Sequence, residues 1–121
     1  MKSIRMHAYV NDSDEAALFY EKAFGIEISR SAVNDDGTYS LCEFDFGNAV
    51  FSIAEANHET DRGDKMQFCI QYGADEKTAL KKAYETLSES ADIDYPLEKR
   101  DFSTMAASLT DKYGIRWLLY I

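Results

Sequence analysis

Cysteine is scarce in this 121-residue chain: Cys42 and Cys69 stand far apart, and no Cys-x-x-Cys spacing exists. Free, reduced thiols in a cytoplasmic protein are the expected state. Neither thiol has the adjacent base or helix N-terminus that makes a nucleophile. Positive charge is scarce too. Thirteen Lys and Arg against 22 Asp and Glu give a formal charge of −9 and a pI near 4.6. A nucleic-acid surface needs clustered Lys and Arg, and no such patch is visible, so nucleic acid is excluded as a partner. The acidity is first a solubility device, and it is compatible with a neutral or cationic ligand. No apolar run reaches the length of a membrane span, and the N-terminus lacks a signal peptide's apolar core. What remains suffices for a packed interior: 45% of the residues are hydrophobic and 13% aromatic. Disorder is therefore not expected, and the length fits one domain, or two small modules sharing a core.

The stretch Asp12–Gly25, "DSDEAALFYEKAFG", organises the rest. Asp12 is an N-cap candidate, and Glu15 stands where it would close a capping box. Ala16, Phe19, Tyr20, Ala23 and Phe24 fall at helical spacing, with Leu18 off that face. Gly25 stands where a left-handed C-cap is wanted. Ahead of the helix, Ser3–Val10 alternates as a strand, with Ile4, Met6, Ala8 and Val10 on one side and Arg5, His7 and Tyr9 on the other. Strands are expected over 26–33, 38–46 and 49–55, with "NDDG" at Asn34–Gly37 and Gly47-Asn48 as turns. The polar run Asn57–Asp64 reads as a linker. His58, beside Glu59 and Asp61, reads there as part of a solvated charge run rather than as a metal ligand.

The order then repeats. Lys65–Tyr72 alternates, with Gln67, Cys69 and Gln71 opposite Met66, Phe68, Ile70 and Tyr72. Asp75–Ser90 is a helix with Ala79, Leu80, Ala83, Tyr84 and Leu87 inward. Asp92–Lys99 is extended, and Pro96 places it at an edge or bulge. Thr104–Thr110 and Ile115–Ile121 are strands joined at Tyr113-Gly114. The expected fold is α+β: two tandem βαβββ modules, about 1–56 and 65–121, joined by the linker 57–64. If the modules pair, their polar strand faces would line one concave surface, the natural place for a ligand.

Three segments carry a family likeness. "EAALFYEKAFG" at Glu15–Gly25 resembles the helix signature of the vicinal oxygen chelate superfamily, which includes glyoxalase I, bleomycin-resistance and fosfomycin-resistance proteins and extradiol dioxygenases. "LSESADIDYPLEK" at Leu87–Lys99 and "DKYGIRWLL" at Asp111–Leu119 resemble its PhnB-like branch. The resemblance implies mixed curved sheets around a cavity, and frequent homodimers. In metal-dependent members it implies ligands on four strands. Carried over, these fall at Arg5 or His7, at Glu55, at Gln67 or Cys69, and at Leu119. Leu119 cannot bind a metal and Arg5 would repel one. The best remaining set is His7, Glu55 and Gln67, suited to Mn, Ni, Co or Fe.

Six residues are therefore candidates for a ligand site: Arg5, His7, Tyr9, Glu55, Gln67 and Trp117. Arg5 would pair with Glu55 or hold an anion. Tyr9 and Gln67 would hydrogen-bond a ligand or their neighbours. Trp117 would stack on a ligand or fill the core. The expected function is a metal-free protein that binds, and in one version sequesters, a small molecule. The alternatives are a metal-dependent lyase or transferase of glyoxalase or fosfomycin-resistance type, and a structural dimerisation module with no ligand.

Overall fold

The computed structural model describes residues 1–60, 63 and 65–121. The chain divides into two compact units, Met1–Thr60 and Asp61–Ile121. The first runs β1 (Met6–Val10), α1 (Ser13–Phe24), β2 (Arg30–Val33), β3 (Tyr39–Asp45) and β4 (Val50–Glu55). The second runs β5 (Phe68–Gln71), α2 (Lys77–Leu87), β6 (Asp92–Arg100), β7 (Ser103–Thr110) and β8 (Arg116–Tyr120). Each unit is one four-stranded sheet, in the orders β1-β4-β3-β2 and β5-β8-β7-β6. Both sheets are mixed: β1 runs parallel to β4 and β5 to β8, while the other pairs are antiparallel. The fold is thus α+β, two tandem βαβββ modules. Among the described residues, no helix is long and apolar enough to cross a membrane.

In the first unit the helix and sheet meet on an aromatic cluster. Helical spacing brings Ala16, Phe19, Tyr20 and Ala23 to one buried face, while Leu18 is 68% exposed. Tyr20 stands edge-on to Phe51 at 5.2 Å and to Phe44 at 6.4 Å, and stacks on Phe24 at 6.2 Å. The helix ends at Gly25, which takes φ 63° and returns its N–H to the Glu21 carbonyl at 2.9 Å.

The helix does not begin as the sequence suggests. Asp12 is itself left-handed, φ 59°, and its side chain makes no capping bond. The cap comes from the end of β4. Ser13 N–H donates to Glu55 Oε1 at 2.8 Å and Asp12 N–H to Oε2 at 3.1 Å. The expected capping box of Asp12 and Glu15 is replaced by a carboxylate from another strand, brought there by the pairing of Val10 with Glu55. The second strand also differs, starting at Arg30 rather than residue 26. Its residues are all exposed, so neither face of it is buried.

In the second unit α2 buries Leu80, Ala83, Thr86 and Leu87, whereas Ala79 is exposed and Tyr84 half-buried. Pro96 lies in β6, an edge strand, where the register shifts between Tyr95 and Glu98. An edge position leaves no ladder bond for the missing N–H to spoil. The turn into β8 is fixed by buried Asp111. Its Oδ1 accepts from Tyr113 N–H at 2.9 Å and Ile115 N–H at 3.1 Å, and its Oδ2 from Trp117 Nε1–H at 2.9 Å.

Of the linker expected at 57–64, Asp61, Arg62 and Asp64 lie outside the described residues. His58 is exposed and shares a 2.9 Å hydrogen bond with Asn57, while its carbonyl accepts from Asn11.

Both thiols are free, Cys42 buried and Cys69 exposed. Burial, with the Glu21 charge nearby, pushes the Cys42 thiol up to about 11. An unfolded thiol ionises near 9.0, so between about pH 9 and 11 the folded state holds a proton that the unfolded state has lost. Stability should therefore fall as pH rises through that window. Cys42→Ala is expected to flatten that slope in urea titrations across the window. At pH 8 a thiol reagent should label Cys69 in the native protein and Cys42 only after unfolding; equal native labelling rates would contradict the burial.

Candidate functional site

Strand alternation decides which residues share a face. In β4, Phe51 and Ile53 pack on the α1 side with Phe44 and Cys42. Ser52 and Ala54 therefore turn to the face without a helix. Pairing then lines up one polar row across all four strands: His7 beside Ser52, Ser52 beside Glu43, Glu43 beside Arg30.

Glu43 is the centre of that row. It is 4% exposed, which would be costly for a lone carboxylate. Arg5 Nη1 donates to its Oε2 at 2.6 Å, a charge-assisted bond of the strong kind. Arg30 Nη1 lies 3.9 Å from its Oε1. His7 Nδ1 and Ser52 Oγ share a hydrogen bond of 2.6 Å. Ser52 is buried and His7 exposed. Tyr9, also exposed, stands edge-on to the His7 ring at 5.0 Å.

Of the predicted site residues, Arg5, His7 and Tyr9 thus share one face, but Arg5 pairs with Glu43 rather than Glu55. Glu55 belongs to the opposite face. It has the parity of Phe51 and Ile53, and its carboxylate is spent on α1. Glu55→Ala should therefore destabilise the fold by about 1–2 kcal/mol, as loss of a good N-cap does. Chemical denaturation checks this; an unchanged midpoint would mean water caps the helix equally well.

In the second unit Gln67 is half-buried, and its Nε2 donates to Ser108 Oγ at 2.8 Å and to the Trp117 carbonyl at 3.3 Å. Ser108 donates to Asp94 at 2.8 Å, and Arg116 Nε lies 3.5 Å from the same carboxylate oxygen. Trp117 is wholly buried, 5.4 Å from Phe68 and held by Asp111, so its ring packs in the core and is not open to a ligand. Leu119 shares that buried parity. The β8 residue that turns to the other face beside Cys69 is Leu118, so the final-strand position carried over to Leu119 is one residue out of register.

Glu43, Ser52 and Arg30 are absent from the sequence-based candidates, as are Ser108, Asp94 and Arg116. Glu43 did leave a signal, a lone charge between Cys42 and Phe44 in an otherwise buried strand segment.

The model of the Glyoxalase/Bleomycin resistance protein/Dioxygenase superfamily matches residues 4–119. The chain belongs to this superfamily. Solved structures that resemble this superfamily member include a PhnB protein from Bacillus cereus, 23% identical over 98% of each chain with a TM-score of 0.80. Another is a glyoxalase-related enzyme from Fulvimarina pelagi, 11% identical over 99% of this chain and 88% of that one, TM-score 0.73. A third is the fosfomycin resistance protein FosX from Listeria monocytogenes, complexed with Mn(II) and 1S,2S-dihydroxypropylphosphonic acid. It is 14% identical over 99% of this chain and 92% of that one, TM-score 0.71. At these identities the likeness is one of fold. No curated protein matches the chain.

The manganese of that FosX complex poses a test for this superfamily member. The set His7, Glu55 and Gln67 does not fit a divalent metal. His7 and Glu55 project from opposite faces of one sheet, and the β4 residue beside His7 is Ser52. Glu43 shares the His7 face, but Arg5 holds its carboxylate. Among the described residues, no group of three or more His, Cys, Asp or Glu side chains could hold a metal ion.

Proposed function

We propose that this chain binds a small organic molecule on the helix-free face of the β1-β4-β3-β2 sheet, holding it without a metal rather than transforming it. The observation that carries this reading is the row His7–Ser52–Glu43–Arg30. A sheet face serving only as a wet exterior has no use for a carboxylate and a serine buried to 4% exposure. Here both are buried and partnered, and they fix two side chains whose remaining groups point to ligand contact. With Nδ1 engaged by Ser52, the His7 ring keeps Nε2 for a hydrogen bond, and Tyr9 beside it supplies an aromatic surface. Binding sites combine a few oriented polar groups with aromatic walls in this way. The second unit's chain of Gln67, Ser108, Asp94 and Arg116 is a further polar array of the same kind. Sequestration is the version of this reading that asks no chemistry of these residues.

A thermal-shift screen with carboxylate, cationic, thiol-adduct and quinone compounds tests it. A ligand present at one hundred times its Kd should stabilise the fold by about 2.7 kcal/mol. Its affinity should fall at least fivefold in His7→Ala. Failure of every class, or a binder indifferent to both His7→Ala and Tyr9→Ala, would remove this face as the site.

A further inference from the structure

We infer that the ligand group received by this face is an anion, a carboxylate on a small organic molecule, and that Arg30 is the residue that selects it. This deepens the binding reading above and rests on it. The argument is one of local charge. The chain as a whole carries −9, yet around Glu43 one negative charge meets two positive ones. Arg5, at 2.6 Å, satisfies the carboxylate. Arg30, at 3.9 Å, is beyond hydrogen-bond distance. Its side chain is 72% exposed and has no other partner among the described residues. A guanidinium in that state offers a planar fork of N–H donors, the shape that grips a carboxylate with two parallel bonds.

Asp45 is the next carboxylate on that face of β3, about 7 Å further along the strand. Its Oδ1 accepts from Gly47 N–H at 2.8 Å, which ties it to the turn. The centre of the row therefore keeps a surplus positive charge. A cationic ligand would have to sit against two guanidiniums or pull Arg5 from Glu43. An edge-strand arginine is often only a guard against sheet-to-sheet pairing. Arg30 differs in standing beside a buried, already neutralised carboxylate, which holds a cation near the face without consuming its donors. His7, in the same row, adds a second polar contact for a ligand bridging both ends.

Three probes of one shape and different charge test the inference: benzoate, benzamide and benzamidinium. Each is titrated by NMR into the full chain at fixed ionic strength, reading the His7, Tyr9 and Arg30 resonances. Benzoate should shift the Arg30 resonances saturably and bind at least fivefold more tightly than the other two. Arg30→Gln should weaken benzoate at least fivefold, and added salt should weaken it progressively. Benzamide or benzamidinium binding this face as tightly as benzoate would overturn the anion inference while leaving the binding reading intact. Benzoate binding unaffected by Arg30→Gln would overturn the role of Arg30. No shift on this face from any probe would overturn the anion inference, and the four-class screen above decides the binding reading.

Discussion

Asp111→Ala is expected to cost about 4 kcal/mol of stability. The side chain takes up three donors at once: two backbone N–H groups of its own turn and the Trp117 indole. Ile115 and Trp117 are buried, so truncation leaves donors that water reaches poorly. Each such orphan costs roughly 1–3 kcal/mol. Asp111→Asn keeps an acceptor oxygen but points an amide N–H₂ at one of the donors, so an intermediate loss of about 2 kcal/mol is expected. Trp117 is the only tryptophan, and its fluorescence in urea reads the transition directly. A loss under about 1 kcal/mol for the alanine variant would mean that the turn holds without its carboxylate.

Tyr20→Ala should be comparably damaging in the first unit, at about 4 kcal/mol, the range found for emptying a large aromatic site. Tyr20 has no exposed surface and stands against Phe19, Phe24, Phe44 and Phe51. The alanines beside it on α1, Ala16, Ala17 and Ala23, are too short to fill the space it would leave. Tyr20→Phe keeps the ring contacts and should recover most of the loss. Thermal melts followed by far-ultraviolet circular dichroism compare the two; equal melting temperatures for the alanine variant and the parent would show that the cluster is not the core.

The element order was legible because periodicity is a local property. Alternation over Met6–Val10 and helical spacing over Ala16–Phe24 need no knowledge of partners. The superfamily likeness was legible for the same reason, since "EAALFYEKAFG" and "DKYGIRWLL" each sit within one helix or one turn and strand. What escaped was long-range. Asp12 looked like a sufficient cap, and only the Val10–Glu55 pairing reveals that another carboxylate takes the position. Glu55, a candidate through the family likeness alone, has its carboxylate engaged at the start of α1. Leu119 lies on the buried face of β8 and Leu118 on the other, and in a strand one residue of register exchanges the faces. Trp117 fits a ligand wall or the core by sequence alone, and its bond to Asp111 and full burial place it in the core. Glu43, the centre of the proposed site, is 38 residues from Arg5. Nothing in the order of the letters joins them; two intervening turns and a parallel pairing do.

That parallel pairing also sets an order of events. His7 and Ser52 lie 45 residues apart, whereas β2, β3 and β4 follow one another through tight turns. Closing a long loop is entropically dearer than closing a short one, and non-local pairing slows folding. On the ribosome the antiparallel meander can zip as it emerges, while the first strand waits without its neighbour until β4 has left the exit tunnel. In the first unit His7, and Arg5 that holds Glu43, are then the last pieces set in place. A newly made chain would acquire its shape before its affinity.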